Sequence, residues 1–112
     1  GKYPVETVRY MANICENKMY FQTSSQEDIV TFSEFLKEEL RTYVSWEDEK
    51  AGEYYQAEVY FESRWDFPDN LMKEFTDKLK HPDLCYIRVL SIEEGNYYCA
   101  FHVFEDSKWE LR

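Results

Sequence analysis

The chain reads as an α+β domain: an antiparallel sheet with two helices on one face in split β-α-β order, extended by an added C-terminal strand. Three observations predict it. Period-two alternation runs from Ile14 to Thr23 and again from Tyr55 to Trp65. Helical three- and four-residue spacing follows each of those stretches, and a strand, turn and strand fill Leu84 to Phe104. A length of 112 residues suits one core with little to spare. A single domain is therefore expected over 11–112, with 1–10, which lack periodicity, as an N-terminal arm.

Cys15, Asn17, Met19, Phe21 and Thr23 alternate with Ile14, Glu16, Lys18, Tyr20 and Gln22, so the first set should face the core and the charged set the outside. Ser24 to Asp28 supplies an N-cap, a capping-box spacing from Ser25 to Asp28, and negative charge where the helix dipole favours it. Ile29, Phe32, Phe35, Leu36 and Leu40 then form the apolar stripe of a helix ending near Arg41. Tyr43 to Trp46 has strand-forming residues and Glu47 to Glu53 reads as a solvated turn, which predicts a hairpin with the next strand. In that strand Tyr55, Ala57, Val59, Phe61, Ser63 and Trp65 share the core face, and Gln56, Glu58, Tyr60, Glu62 and Arg64 the solvent face.

Asp66 is placed to cap the second helix, and Pro68 suits its first turn, where a missing N–H loses no intrahelical bond. Leu71, Met72, Phe75 and Leu79 give the buried stripe, and His81-Pro82 ends the helix. Leu84 to Ile92 and Tyr97 to Phe104 are strands joined by the turn Glu93 to Asn96. Trp109 and Leu111 either add a short last strand or pack the C-terminus down. This order is that of a ferredoxin-like split β-α-β sandwich. Its open sheet face would carry Lys18, Tyr20, Glu58, Tyr60, Glu62 and, depending on register, Tyr86, Arg88, Tyr98 and His102.

Ten Tyr, eight Phe and three Trp predict an aromatic core with half-buried tyrosines on the sheet. The formal charge of −10 opposes nucleic acid and anionic membranes as partners. No apolar run approaches the roughly 20 residues of a spanning helix, and the first residues lack the apolar segment of a secretory leader. Cys15, Cys85 and Cys99 are too far apart for a zinc knuckle or a redox dithiol, so they read as reduced core cysteines, which fits a cytoplasmic location. No cofactor is expected.

Met11-Ala12-Asn13-Ile14-Cys15-Glu16-Asn17-Lys18-Met19-Tyr20-Phe21 is similar to the start of YubB-type ferredoxin-like domains, which open with Met, a small residue, Asn, then Cys and a second Asn. Tyr60 to Pro68 resembles that family's second signature, a strand ending in Trp followed by Pro and a helix. Phe67 stands where the family usually has a second Pro, and the Gly-rich segment after the third strand pair is thin here. The resemblance implies a ferredoxin-like fold of bacterial, plasmid or phage origin and no established activity.

Catalytic constellations are weak. Cys15 with His102 is the one thiol–imidazole pair to weigh, but alternation puts them on opposite faces. His81, Asp83 and Cys85 read as a helix-terminating turn before a metal site, and Glu47, Asp48, Glu49 and Glu53 lack the rhythm of a calcium loop. Glu58 and Glu62 stand about 13 Å apart along one strand, too far for paired carboxylate chemistry. The outward tyrosines sit where RNA-binding sheets carry stacking rings, yet glutamates interleave them. The expected function is a non-enzymatic interaction module that uses its open face (Tyr20, Glu58, Tyr60, Glu62, Tyr86, Arg88, Tyr98, His102) or an edge strand against another protein or a second copy. The alternatives are an acidic decoy presenting carboxylates in place of DNA phosphates, and an enzyme with an unrecognised site.

Overall fold

The computed structural model describes residues 14–42, 46–49 and 53–112. Along the chain come β1 (Ile14–Thr23), α1 (Gln26–Phe35), β2 (Glu47–Glu49), β3 (Tyr54–Arg64), α2 (Asp69–Asp77), β4 (Cys85–Glu93), β5 (Tyr98–Glu105) and β6 (Lys108–Leu111). The strands form one antiparallel sheet in the order β2-β3-β1-β4-β5-β6. β1-α1-β2 thus straddles β3, and β3-α2-β4 straddles β1, so two split β-α-β units interlock. The expected 1–10 arm and Tyr43 to Ser45 lie outside the described residues.

Both helices cover the same sheet face because their aromatic stripes meet over one strand. Phe32 of α1 stacks on Phe21 of β1 at 4.2 Å between centroids, and Phe35 stacks on Phe75 of α2 at 4.4 Å. Met19, Ala57, Val59, Ile87 and Val89 from three strands, with Met72 and Leu79 from the second helical segment, complete this core. The inward set read from the alternation of β1 is the buried one, and in β3 Ala57 and Val59 are buried while Tyr55, Phe61 and Ser63 are half-buried.

Several local expectations are corrected. The hairpin strand lies at Glu47–Glu49, inside the stretch expected to be a turn. Trp46 is diverted instead, packing edge-on against Phe21 and Phe32 while its indole N–H donates to Ser33 Oγ at 3.2 Å. The first helix does finish at Arg41, but its end widens into a π-helical turn over Leu36–Leu40, and Arg41 closes it at φ 53°. Ser25 caps that helix through the Asp28 N–H, whereas the Asp28 carboxylate does not fold back into a capping box. It is fully buried and accepts from the Lys80 and His81 backbone N–H groups at 2.6 and 2.9 Å, tying the first helix to the chain after the second.

At the start of α2, Pro68 occupies the cap position itself and Asp66 makes no capping bond. The cause is Trp65, which leaves β3 at φ 80°, turns the chain, and stands 59% exposed where the strand pattern expected it to face inward. Phe67 takes the buried place. Cys15 and Cys85 are buried as expected, but Cys99 is exposed. The last segment does both things anticipated of it. A two-residue turn with positive φ at Asp106 and Ser107, matching the twist of a hairpin, returns the chain as β6, and Trp109 packs inward with its indole N–H on Thr76 Oγ1 at 3.1 Å.

Candidate functional site

The face of the sheet away from the helices is organised in cross-strand rows, because residues directly opposite in an antiparallel pair project to the same side. In one row Tyr20 stands between Glu58 on β3 and Arg88 on β4. In the next, Lys18 stands between Tyr60 and Leu90, and in a third Glu16 stands between Glu62 and Ile92.

These rows are knitted together. The Arg88 guanidinium lies 4.1 Å from the Tyr20 ring centroid and 5.9 Å from that of Tyr86, and the two rings meet edge-on. The Tyr20 hydroxyl donates to Gln56 Oε1 at 2.6 Å. Lys18 Nζ sits 3.8 Å from Glu58 and 5.9 Å over the Tyr60 ring, and the Tyr60 hydroxyl donates to Glu58 at 3.1 Å. Each such pair contributes at most about 1 kcal/mol at an exposed site. Their larger effect is to hold the side chains in place before any partner arrives. Tyr60 remains 67% exposed and, with Lys18, Glu62, Leu90 and Ile92, lines an open groove of about 560 Å³.

Of the residues expected on this face, Tyr20, Glu58, Tyr60, Glu62, Tyr86 and Arg88 are brought together. Tyr98 and His102 are not. Pairing of Glu93 with Tyr98 and of Val89 with His102 turns both to the helix side, where the Tyr98 hydroxyl accepts from the Phe67 N–H and the His102 ring packs on Phe67. The exposed Cys99 lies on the other side of β5 for the same reason.

His102 therefore shares a face with Cys15 after all, and it is distance that separates them. Val89 and Met19 align with His102 across the sheet, and Cys15 lies four residues further along β1, about 13 Å by strand rise. The Cys15 thiol is raised above its ordinary value chiefly by burial, the opposite of an activated nucleophile. Its surroundings form a closed polar network that periodicity alone did not reveal. Asn17 accepts from Ser91 Oγ at 2.7 Å and donates to Ser63 Oγ at 2.9 Å, and Ser63 donates to the Asp66 carbonyl at 2.7 Å. Glu93, only 1% exposed, accepts from the Gly95 N–H at 2.8 Å. Such satisfied bonds fix a core more than they offer chemistry.

His81, Asp83 and Cys85 do not converge either. His81 Nε2 lies 3.1 Å from Glu27, and the Cys85 thiol donates toward Thr23 Oγ1 and the His81 carbonyl. Among the described residues no three His, Cys, Asp or Glu side chains are grouped to hold a metal ion, and no helix is long and apolar enough to cross a membrane. The chain matches no family model, no curated protein and no solved structure. Fold and site together define an α+β domain with an open sheet face of ordered tyrosines and alternating charge.

Proposed function

We propose that this protein is a non-enzymatic interaction module that engages a protein partner through the open sheet face centred on Tyr20, Tyr60 and Arg88. The observation that carries this reading is the Arg88 guanidinium held over Tyr20 and Tyr86 beside a largely exposed Tyr60. Tyrosine and arginine are the side chains that most often anchor interface centres, and here they are ordered in advance by Gln56 and Glu58. The interlocked strand order supports a ferredoxin-like assignment, and the resemblance to YubB-type domains agrees with it while implying no activity.

The decoy alternative draws on the −10 charge and on the plasmid or phage origin that the resemblance implies. Carboxylates occur on the open face at Glu16, Glu58 and Glu62, on the helices at Glu27, Glu74 and Asp77, and on the last hairpin at Glu105 and Glu110, and Lys18 and Arg88 interrupt the first group. That scatter favours the protein-contact reading over a phosphate-like band.

A photo-reactive side chain at position 62 tests the proposal. Cross-linked species that form in the wild-type background should vanish with Tyr60→Asp or Arg88→Glu and persist with Glu74→Lys on the helix side, all with unchanged circular dichroism. Species that persist in the Tyr60→Asp and Arg88→Glu backgrounds, or a complete lack of cross-links, would show this face to be ordinary solvated surface.

A further inference from the structure

A second surface, independent of the open-face reading, lies at the β6 edge of the sheet. The Arg112 N–H donates to the Phe101 carbonyl at 2.7 Å. Hydrogen-bonded and non-bonded pairs alternate along antiparallel strands, so Val103 and Glu110 are the next bonded pair. His102 with Leu111, and Phe104 with Trp109, are pairs whose backbone groups point away from each other. The N–H and C=O of Trp109 and Leu111 therefore face outward along the edge, and among the described residues no strand takes them.

Natural sheets blunt such edges with proline, bulges or like charges. β6 has neither proline nor like charge. Its sequence, Lys108-Trp109-Glu110-Leu111, carries opposite charges two residues apart on one face and apolar residues on the other, with Leu111 left 70% exposed.

We infer that β6 pairs antiparallel with β6 of a second copy, about a two-fold axis through Trp109, joining two six-stranded sheets into one. Charge selects the register. With Trp109 opposite its own counterpart, Lys108 of each copy faces Glu110 of the other twice over, and the outward groups of Trp109 meet in a bonded pair. A slip by two residues, placing Glu110 against Glu110, opposes Lys108 with Arg112 and is repelled at every charged position. A closed two-fold contact of this kind uses the same strand on both partners and stops at two. It also makes the open faces of the two copies continuous, so that one dimer would present two Tyr60-centred patches on one side of the joined sheet, with eight strands between them. The paired segment is short, so the dimer should be weak and concentration-dependent.

Sedimentation velocity over a wide concentration series tests this on the full chain. A monomer–dimer equilibrium is expected. Leu111→Pro deletes an outward N–H that the β5 pairing does not use, and should abolish the dimer with circular dichroism unchanged. Glu110→Lys should weaken it at least tenfold, and the charge swap Lys108→Glu with Glu110→Lys should restore it. A monomer at every concentration, or a dimer indifferent to Leu111→Pro, overturns the inference. A dimer lost with Tyr60→Asp but retained with Leu111→Pro also overturns it, and would move self-association to the open face.

Discussion

The imidazole of His102 lies flat on the ring of Phe67, with centroids 3.7 Å apart and planes 9° from parallel. Its Nδ1 is buried with no hydrogen-bond partner among the described residues. The stack pins the turn between β3 and α2 to the middle of β5, and it does so with a neutral ring. Burial holds the His102 pKa below its ordinary 6.5, while Asp69 and Asp66 pull weakly the other way. The unfolded chain then accepts a proton that the folded chain resists, so this contribution is complete above the ordinary value and is lost as pH falls below it. Urea unfolding should show stability declining from about pH 7 to about pH 5.5, before most carboxylates titrate. His102→Phe, which keeps the stack and removes the proton site, should flatten that decline. An unchanged slope in the variant would assign the acid sensitivity elsewhere.

Phe75 and Trp65 should separate sharply on truncation. Phe75 is buried at the meeting of Phe21, Phe32 and Phe35, so Phe75→Ala should cost about 3–5 kcal/mol. Trp65 is mostly exposed beyond the end of β3, so Trp65→Ala should stay within about 1 kcal/mol. Chemical denaturation of the two variants side by side checks the contrast.

Asp28 is the buried joint between α1 and the segment after α2. Asp28→Ala removes the acceptor of two backbone N–H groups and should cost about 3 kcal/mol. Asn in its place retains one side-chain oxygen and should cost less. Equal losses for the two substitutions would mean that one retained oxygen recovers nothing and that the two bonds act only as a pair.

The three thiols should differ in reactivity. Burial pushes the Cys85 thiol up to about 12, and Cys15 is raised for the same reason, while Cys99 is exposed. Since the thiolate is the attacking species, iodoacetamide at about pH 8 should label Cys99 in the native protein and spare Cys85 until it unfolds. Intact-mass measurement with peptide mapping reads the result directly.

The faces of β1 and most of β3 were legible because charge and apolar residues alternate there without ambiguity, as in Glu16, Lys18 and Tyr20 against Cys15, Met19 and Phe21. β5 was not, since Cys99, Phe101 and Val103 are as apolar as Ala100 and Phe104, and the polar atoms of His102 suggested solvent where the ring in fact stacks. Trp65 misled for another reason: alternation continues in the sequence one residue past the point where the backbone turns at positive φ. The burial of Asp28 and Glu93 depends on backbone N–H groups supplied by other segments or by a following turn, which side-chain periodicity does not encode. The open-face set was recovered on three of its four strands, and the β6 edge emerged only once the register of the last hairpin was known.

The place of β1 in the strand order has a consequence for how the chain is made. β1 is nearly the first described segment, yet it sits between β3 and β4, and its nearest register pair with β4 joins Thr23 to Cys85. Roughly sixty residues must leave the ribosome before the second edge of β1 finds its partner. A nascent chain that ends at α2 would therefore pair Ile14–Thr23 with β3 on one side and leave its other edge open to any extended chain nearby. Arrival of β4 closes that window, so the risk of mispairing is concentrated in the interval between the emergence of α2 and that of Glu93.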